Sequence, residues 1–243
     1  MAELIFLGTS NAFGHDGRHT ACLLLSGSHN ILVDAGYSVL SAVRANFQPF
    51  PKIDAILISH IHPDHFMGLP QMVLEDYYVI KRDYSIPVFG PKGLAQKVLD
   101  LVNIMYSDEL AAHVNVLFKF HESNPGEKFE IPGGSVETLE AAHGGNARMQ
   151  IINFEGKTIG YSGDTSFLEH SINRLLDCDL TILESSSFDH PIPDHITAKH
   201  LVDLSFPADK IIYLTHLGEG VRRNQGEIKP PLYIADDGMR ITL

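Results

Sequence analysis

Apolar residues along this chain come in short runs that end in polar residues, an arrangement typical of buried strands. The clearest run is residues 53–58, and a histidine-rich segment follows it directly. Residues 27–30 separate two such runs and predict a hairpin turn. In all, the pattern predicts strands at residues 4–8, 21–25, 31–36, 53–58, 86–90, 114–120, 136–142, 149–154, 158–162, 180–184 and 210–216.

Apolar residues spaced three and four apart predict helices between these strands. One helix covers residues 37–47, and the last one covers residues 198–204 with Thr197 as its N-cap. Two more helices lie between these. After the histidine-rich segment, apolar residues recur at helical spacing: Leu69, Met72, Val73, Tyr77 and Ile80. A helix that begins near Pro91 has one apolar face, which we assign to the core: Leu94, Val98, Leu101, Val102 and Met105. His113 and His121 bracket the predicted strand 114–120, and we expect them to be ordinary surface or strand-end residues.

Composition narrows the class of protein. The chain has 243 residues, 44% of them hydrophobic, and fits one domain spanning residues 1–243. Its net charge of −12 argues against a broad phosphate-binding surface, so an extended nucleic-acid partner is not expected. The two cysteines, Cys22 and Cys178, favour buried free thiols in a reducing cytoplasm. No apolar stretch is long enough to cross a membrane, and the first residues lack the features of a signal peptide.

The histidine-rich segment contains four residues of metal-ligand type within six positions: His60, His62, Asp64 and His65. Alternate residues of an extended segment point the same way, so His60 and His62 can bind one metal ion. Pro63 then bends the chain, and Asp64 and His65 face a different point. Imidazole nitrogens and carboxylate oxygens are ligands of zinc and similar transition metals. We therefore expect metal binding at this strand end.

Three later strands end in the same kind of residue. Residues 136–142 lead to His143 and two glycines, and residues 158–162 lead to Asp164. Residues 210–216 end in Thr215-His216, which echoes the earlier Ser59-His60 and fits a fold made of two similar halves. These residues are the candidates for the remaining metal ligands.

The pattern His-X-His-X-Asp-His resembles the signature of the metallo-β-lactamase superfamily. The resemblance implies an α/β fold, an αββα sandwich of two mixed sheets packed face to face, with helices outside and metals at one edge. It implies one metal ion on His60, His62 and His143, a second on Asp64, His65 and His216, and Asp164 as the bridge. Zinc fits these ligands best, and manganese or iron would accept them. Such a pair supplies a metal-bound hydroxide for hydrolysis.

The segments around residues 7–10, 18–25, 33–36, 194–198 and 214–216 look like those of ribonuclease Z and its phosphodiesterase relatives. This resemblance implies hydrolysis of a phosphodiester, and family members are often dimers. Ribonuclease Z inserts a long tRNA-gripping arm between the third histidine and the bridging aspartate, whereas here His143 and Asp164 are separated by little more than a hairpin. We therefore expect a small phosphodiester as substrate, such as a cyclic nucleotide or a nucleotide derivative.

Other functions of the same fold stay open. Class B β-lactamases usually place arginine where this chain has His65, which disfavours antibiotic hydrolysis. Glyoxalase II and the acyl-homoserine lactonases share the motif, so a thioester or lactone substrate is an alternative. A metal-binding sensor or effector with only residual activity is another.

Two further residues are assigned to catalysis. His195 lies just before a predicted helix and outside both metal sets, and its titration near neutrality suits a general acid. Asp64 is also assigned to catalysis, because its carboxylate could orient His195. The alternative for His195 is simple packing against Phe188 or Pro193.

Asp34 is a candidate to orient a metal-binding histidine. The polar loop at residues 9–19, with His15, Asp16, Arg18 and His19, is expected to border a pocket.

Overall fold

The computed structural model describes residues 2–243, which form two seven-stranded sheets. The strands are β1 (Glu3–Gly8), β2 (Cys22–Ser26), β3 (Asn30–Val33), β4 (Ala55–Leu57), β5 (Ile86–Pro91), β6 (Phe118–Ser123), β7 (Lys128–Ile131), β8 (Gly134–Glu140), β9 (Arg148–Phe154), β10 (Lys157–Tyr161), β11 (Leu180–Glu184), β12 (Ile212–Thr215), β13 (Leu232–Ile234) and β14 (Arg240–Thr242). The helices are α1 (Val39–Asn46), α2 (Pro63–Phe66), α3 (Gly68–Glu75), α4 (Leu94–Met105), α5 (Asp108–Leu117), α6 (Glu169–Leu176), α7 (Ala198–Asp203) and α8 (Glu219–Arg223).

Both sheets are mixed, and each combines an antiparallel part with a parallel part. The first sheet has the order β14-β1-β2-β3-β4-β5-β6, in which β3 to β6 run parallel. The second has the order β13-β12-β11-β10-β9-β8-β7, in which β10 to β13 run parallel. The two strands that precede His60 and His216, β4 and β12, therefore occupy parallel parts of different sheets, as their similar sequences indicate.

The core shows why the sheets pack face to face. Alternate residues of a strand face opposite sides of the sheet. In β1, Leu4 and Phe6 join an apolar cluster with Phe154 and Ile182 of the second sheet, whereas Ile5 and Leu7 pack with residues of the helices. Burying each such side chain contributes about 1.5–3 kcal/mol. Helices α1, α3, α4 and α5 cover the outside of the first sheet, and α6 and α7 cover the second. The expected αββα sandwich is confirmed.

One predicted strand is wrong over most of its length. Residues 108–117 form α5, and the strand begins only at Phe118. Ser107 caps α5 by accepting a hydrogen bond from the Leu110 amide, and an apolar stripe that includes Leu110 and Val114 packs on the core. This packing outweighs the strand preference of the β-branched residues. His113 therefore lies on a helix, where its Nε2 contacts Asp76 Oδ2 at 2.9 Å, and His121 lies within β6.

Other predicted elements are confirmed with shifted ends. The hairpin β2–β3, the strand at residues 180–184 and the Thr197 cap of α7 are present. The pattern missed α6, α8, β7, β13 and β14, most of which are short. Within residues 2–243, no helix has the length and apolar character needed to span a membrane.

Candidate metal centre

All seven predicted ligands meet where strand ends of both sheets come together. His60 and His62 follow β4, His143 follows β8, and His216 follows β12. The seven side chains form two groups of close ligand atoms. Site A is His60, His62 and His143, and site B is Asp64, His65, Asp164 and His216.

Site A has the dimensions of a zinc site. His60 Nε2 lies 3.2 Å from His62 Nδ1, and His62 Nδ1 lies 3.0 Å from His143 Nε2. Zinc–nitrogen bonds of about 2.0–2.1 Å in tetrahedral geometry place ligand atoms roughly 3.3 Å apart. Gly145 has φ +66° and accepts a hydrogen bond from the Ile61 amide, which docks the His143 loop on the His60 segment. The loop glycines thus allow the close approach that brings His143 to site A.

Site B is equally compact and contains carboxylates. Asp64 Oδ2 lies 3.3 Å from His65 Nε2 and 3.1 Å from His216 Nε2. His65 Nε2 and Asp164 Oδ1 are buried and have no hydrogen-bond partner among the residues described. Buried polar atoms are nearly always paired, so these two atoms indicate a missing ligand. A divalent cation fits the donor set and the orphaned atoms.

One oxygen of Asp164 faces both sites. Asp164 Oδ2 lies 3.2 Å from His216 Nε2 and 3.4 Å from His65 Nε2 in site B. The same oxygen lies 3.8 Å from His60 Nε2 and 4.0 Å from His143 Nε2 in site A. A carboxylate in this position can contact two cations at once.

The buried Asp34 orients site B from behind. Its Oδ2 accepts hydrogen bonds from Tyr161 Oη (2.7 Å) and Ser59 Oγ (2.8 Å), and it pairs with His65 Nδ1 at 2.8 Å. Its Oδ1 accepts the Ser59 amide at 2.7 Å. With Nδ1 engaged, His65 presents Nε2 to the site, the arrangement typical of metal-binding histidines. The geometry therefore supports the orienting role expected for Asp34.

Three of the other four histidines are held in a similar way at the nitrogen that faces away. His60 Nδ1 lies 3.0 Å from Ser59 Oγ, and His216 Nδ1 lies 2.8 Å from Ser186 Oγ. His143 Nδ1 is 2.9 Å from the Asp194 carbonyl oxygen. These contacts fix the ring orientations before any ion binds.

Burial and neighbouring charges set the protonation of the centre. Burial, followed by the charge of His65, holds the pKa of His60 well below its ordinary value. Burial opposes ionisation of Asp64, yet the charge of His65 and the hydrogen bond to His216 lower its pKa. The Asp164 pKa is lowered for a similar reason. In His65, burial is outweighed by Asp164, Asp64 and Asp34, which raise the pKa well above normal. A divalent cation at site B would take the place of that proton.

His195 lies against both sites without belonging to either ligand set. Its Nδ1 is 2.8 Å from Glu184 Oε1 and 2.9 Å from Ser186 Oγ. Its ring stacks on His216, with centroids 5.6 Å apart and planes 9° apart, and meets His143 edge-on at 4.8 Å. Burial opposes protonation, but the hydrogen bond that Glu184 accepts from His195 raises the pKa of His195.

Glu184 is the functional candidate that the sequence analysis missed. The Glu184 carboxylate contacts the His195 ring. We expected Asp64 to make this contact, but the Asp64 carboxylate contacts His65 and His216 instead. Glu184 ends the buried strand β11, as ligand-type residues follow β4 and β12, so the strand-end pattern could have identified it. The loop at residues 9–19 does border a cavity of about 470 Å³, lined by Asp16 and Arg18.

Comparison with known proteins agrees with this architecture. The family described as Anti-Pycsar protein Apyc1 matches residues 2–235. The Anti-Pycsar protein Apyc1 of Paenibacillus harenae is 28% identical over 227 residues, 90% of this chain and 91% of that protein. Ribonuclease Z of Pyrococcus horikoshii is 29% identical over 146 residues, 59% of this chain and 45% of that protein.

A solved structure shares the whole fold. The metallo-β-lactamase fold protein YhfI from Bacillus subtilis superposes with a TM-score of 0.81 at 21% identity, covering all of both chains. At this identity the likeness establishes the fold alone. With the family match over nearly the entire chain, the protein belongs to the Anti-Pycsar protein Apyc1 family and is a metal-dependent, phosphodiesterase-like hydrolase of the metallo-β-lactamase fold.

Proposed function

We propose that this protein hydrolyses a small phosphodiester with two divalent metal ions, one in site A and one in site B. The observation that carries the proposal is the position of Asp164 Oδ2, 3.2–4.0 Å from nitrogen ligands of both sites. Zinc fits the nitrogen and oxygen donors best, and manganese or iron would accept them.

The chain itself would position the reaction. A bound metal pair lowers the pKa of water to roughly 7 and stabilises the attacking and leaving oxygens. His60, His62 and His143 would hold one ion, and Asp64, His65 and His216 the other, with Asp164 between them. Because the outward nitrogens of His60, His65, His143 and His216 are already engaged, these four rings need little reorganisation to bind.

We assign proton donation to His195. Glu184 Oε1 and Ser186 Oγ engage Nδ1, which leaves Nε2 to protonate the departing alkoxide. A ring nitrogen of His195 lies within 4.8 Å of the ligand atoms of His143 and Asp164, so substrate held in the centre would be within its reach. The contact with Glu184 raises the pKa of His195, which favours the protonated ring that a general acid needs. In this assignment Asp64 acts only as a metal ligand and has no direct role in proton donation.

The chain favours a small substrate, such as a cyclic nucleotide or a nucleotide derivative. Between His143 and Asp164 lies the hairpin β9–β10, with no inserted arm in this segment to grip a long RNA. The net charge of −12 disfavours a polyanion as well.

We also propose that two copies associate and act in the reducing cytoplasm. Tyr78 and Val79 are 63% and 72% exposed and border an apolar groove with Leu40, Leu74 and Tyr106. Both cysteines are free and buried, which suits a reducing compartment. Light scattering should give the mass of a dimer, and Val79→Asp should shift it to a monomer if this groove is the interface.

The decisive test of function is a substrate panel with measured metal content. The purified protein should contain nearly two equivalents of metal and should cleave bis(p-nitrophenyl) phosphate in a metal-dependent way. A β-lactam and precursor tRNA should be poor substrates. Efficient turnover of a lactone or thioester without phosphodiester cleavage would favour the alternative hydrolases, and no turnover at full metal loading would favour a sensor.

A further inference from the structure

A small cavity at the start of β9 is lined by basic and neutral residues. Its volume is about 260 Å³, and Lys92, Ser123, Asn146 and Arg148 line it with three neutral residues. None of the residues that line it is acidic. The local charge is therefore positive in a chain whose net charge is −12. We call this the Arg148 cavity.

Arg148 is buried without a negatively charged partner. The residue is 2% exposed, and within residues 2–243 its guanidinium forms no ion pair. Nη1 donates to Ser123 Oγ at 2.6 Å and Nη2 donates to the Ser123 carbonyl oxygen, both of which are neutral acceptors. The third nitrogen, Nε, is buried and has no hydrogen-bond partner among the residues described. Arginine is almost never buried this deeply unless it is paired, so the charge of Arg148 needs an explanation.

Arg82 shows how the same protein compensates another buried guanidinium. The Arg82 side chain is 3% exposed, and its Nη1 lies 2.8 Å from Asp76 Oδ1, a carboxylate that is equally buried. Glu75 Oε2 lies 3.7 Å from Nη2. A buried charge is strongly destabilising when it is left uncompensated. Arg148 has no carboxylate in the place that Asp76 takes beside Arg82, so its charge is free to hold an anion.

The two acids whose charges act on Arg148 are engaged by other donors. Glu122 accepts two backbone amides at the start of α4, at 3.0 and 2.8 Å. Glu127 Oε1 accepts the backbone amide and the side-chain nitrogen of Asn124. Their charges favour the ionised guanidinium, but burial outweighs them and lowers the pKa of Arg148 to about 10. Neither acid therefore neutralises the cavity.

The Arg148 cavity is separate from sites A and B, because none of the seven candidate ligands lines it. Its walls are fixed by backbone contacts. Asn146 Nδ2 donates to the Lys92 carbonyl oxygen at 3.1 Å, and the Arg148 amide donates to the Ser59 carbonyl oxygen at 3.2 Å. Substitution of the Lys92 side chain leaves these backbone acceptors in place, so the cavity can be tested without disturbing the metal ligands.

We propose that the Arg148 cavity binds a tetrahedral phosphate-type anion, held by the positive charges of Arg148 and Lys92. Two cationic side chains suit a dianion, and hydrogen bonds from ionised donors to such an anion are roughly twice as strong as neutral ones. The cavity is several times larger than the roughly 30 Å³ that one water molecule occupies in the liquid, so a phosphate group fits. The inference is independent of the proposed phosphodiesterase function. A free anion and a phosphate ester of a larger molecule share this chemistry.

The test is a calorimetric titration of the metal-loaded protein with sodium sulfate, with the ionic strength held constant by chloride. Wild type should bind sulfate at the cavity. Lys92→Ala removes one charged donor and should raise the Kd by about tenfold to a hundredfold. Arg148→Met should abolish this binding. Lys97→Ala is the matched control, because Lys97 is also exposed but lines a different cavity, and it should bind sulfate as wild type does.

An unchanged Kd in both Lys92→Ala and Arg148→Met would place the sulfate at the metal centre and overturn the proposal. Lys92 is exposed, so Lys92→Ala decides alone if Arg148→Met does not fold.

Thermal unfolding separates an anion site from a purely structural arginine. A ligand that binds the folded state raises Tm, whereas the general effect of sulfate on burial acts on every variant. Replacing chloride by sulfate should therefore raise the Tm of wild type and Lys97→Ala more than that of Arg148→Met. If Arg148 only supports Ser123, Arg148→Met would lower Tm equally in both salts, which would overturn the proposal.

Inorganic phosphate and a sugar phosphomonoester, titrated in the same way, distinguish the two sources of the anion. Tighter binding of the phosphomonoester would identify the phosphate group of a larger molecule, and tighter binding of inorganic phosphate would identify a free ion. Either result supports the site when Lys92→Ala weakens the binding. The proposal fails if wild type binds none of the three anions.

Discussion

Sites A and B use similar residue types but differ in burial and charge. In site B every candidate ligand is at most 6% exposed, and two of the four are carboxylates. In site A, His60 is fully buried and the His143 side chain is 6% exposed, whereas His62 is half-buried, and the shared Asp164 supplies the negative charge. A cation is stabilised more strongly by buried carboxylates than by imidazole nitrogens, which carry no negative charge. We therefore expect site B to bind its ion more tightly.

The hydrogen bonds that hold the ligand side chains in place also favour site B over site A. In site B the side chain of Asp34 orients His65, and four hydrogen-bonding contacts engage that carboxylate. In site A the contact behind His143 is a backbone carbonyl, that of Asp194. Substitution can therefore weaken the support of site B selectively, and the two sites can be tested apart.

The largest effect is expected from Asp164→Ala, which removes the one group common to both sites. Metal content should fall from nearly two equivalents to one or fewer, and phosphodiesterase activity should fall by more than about 10²-fold, beyond the usual effect of losing a supporting residue. Elemental analysis after dialysis and the bis(p-nitrophenyl) phosphate assay measure both.

Asp209→Ala, on the exposed surface, is the control and should behave as wild type. Two full equivalents of metal in Asp164→Ala would show that sites A and B do not share this residue.

His195→Ala tests a residue that contacts both sites and is assigned to neither. Both metals and the fold should be retained, while turnover falls by about 10²–10⁴, the usual contribution of a general acid. The loss should shrink for good leaving groups such as p-nitrophenol, which need little protonation. Activity against a leaving-group series, with metal analysis of the same samples, checks this.

An equal loss across the leaving-group series would indicate that His195 binds substrate instead. Loss of metal from one site would place His195 in that coordination shell, and the comparison of sites A and B would have to include it.

The residues that meet in sites A and B could be predicted because they follow apolar strands and match the motif His-X-His-X-Asp-His; their roles as metal ligands stay a prediction. Ser59-His60 and Thr215-His216 are examples, and their strands β4 and β12 both lie in the parallel part of a sheet. Glu184 escaped because its role depends on a contact with His195, eleven residues away, that only the folded loop creates. Its place at the end of an apolar strand could be predicted, but its contact with His195 could not.

The region around α5 shows a different limit. Val114 and Val116 favour a strand locally, but the Ser107 cap and the packing of Leu110 and Val114 make the segment helical. Local preference differs by only about 1 kcal/mol between strand formers and others, so tertiary packing decides. The conformation of the loop at residues 9–19 likewise depends on hydrogen bonds to Asp236 and Asp237, which lie more than 200 residues away in the chain.

Asp34→Asn should separate sites A and B by a smaller effect. The amide cannot accept every hydrogen bond that the carboxylate accepts, so His65 loses its fixed orientation. The metal affinity of site B should fall about 10–100-fold, while that of site A, which Asp34 reaches only through Ser59, should fall less. Competition with a chromogenic chelator, which resolves two binding constants, measures the difference.

Tyr161→Phe removes one donor to the same carboxylate and should weaken site B less than Asp34→Asn does. Equal weakening of both sites by Asp34→Asn would mean that Asp34 supports the whole centre, and the proposed difference between the sites would be lost.

The smallest effect is expected from Cys22, which lies behind Asp34 rather than beside a ligand. Cys22 is 1% exposed, and its Sγ donates a hydrogen bond to the Asp34 carbonyl oxygen at 3.1 Å. Burial, and then the charge of Asp34, raise the pKa of this thiol well above its ordinary value, so it stays a donor near neutrality. Asp34 has φ +59°, a conformation that is uncommon for a residue with a side chain and needs support from its neighbours.

Removing the thiol in Cys22→Ala should therefore lower the free energy of unfolding by about 0.5–1.5 kcal/mol, the net value of one hydrogen bond. The metal affinity of site B should fall by less than roughly tenfold, the smallest loss expected when a direct supporting partner is removed. Cys178→Ala is the matched control, since Cys178 is also buried and free, and its Sγ contacts the Arg174 carbonyl, remote in sequence from every ligand. If the two alanine variants change site B equally, the Cys22 contact has no part in supporting Asp34, and Ser59 and Tyr161 alone hold that carboxylate in place.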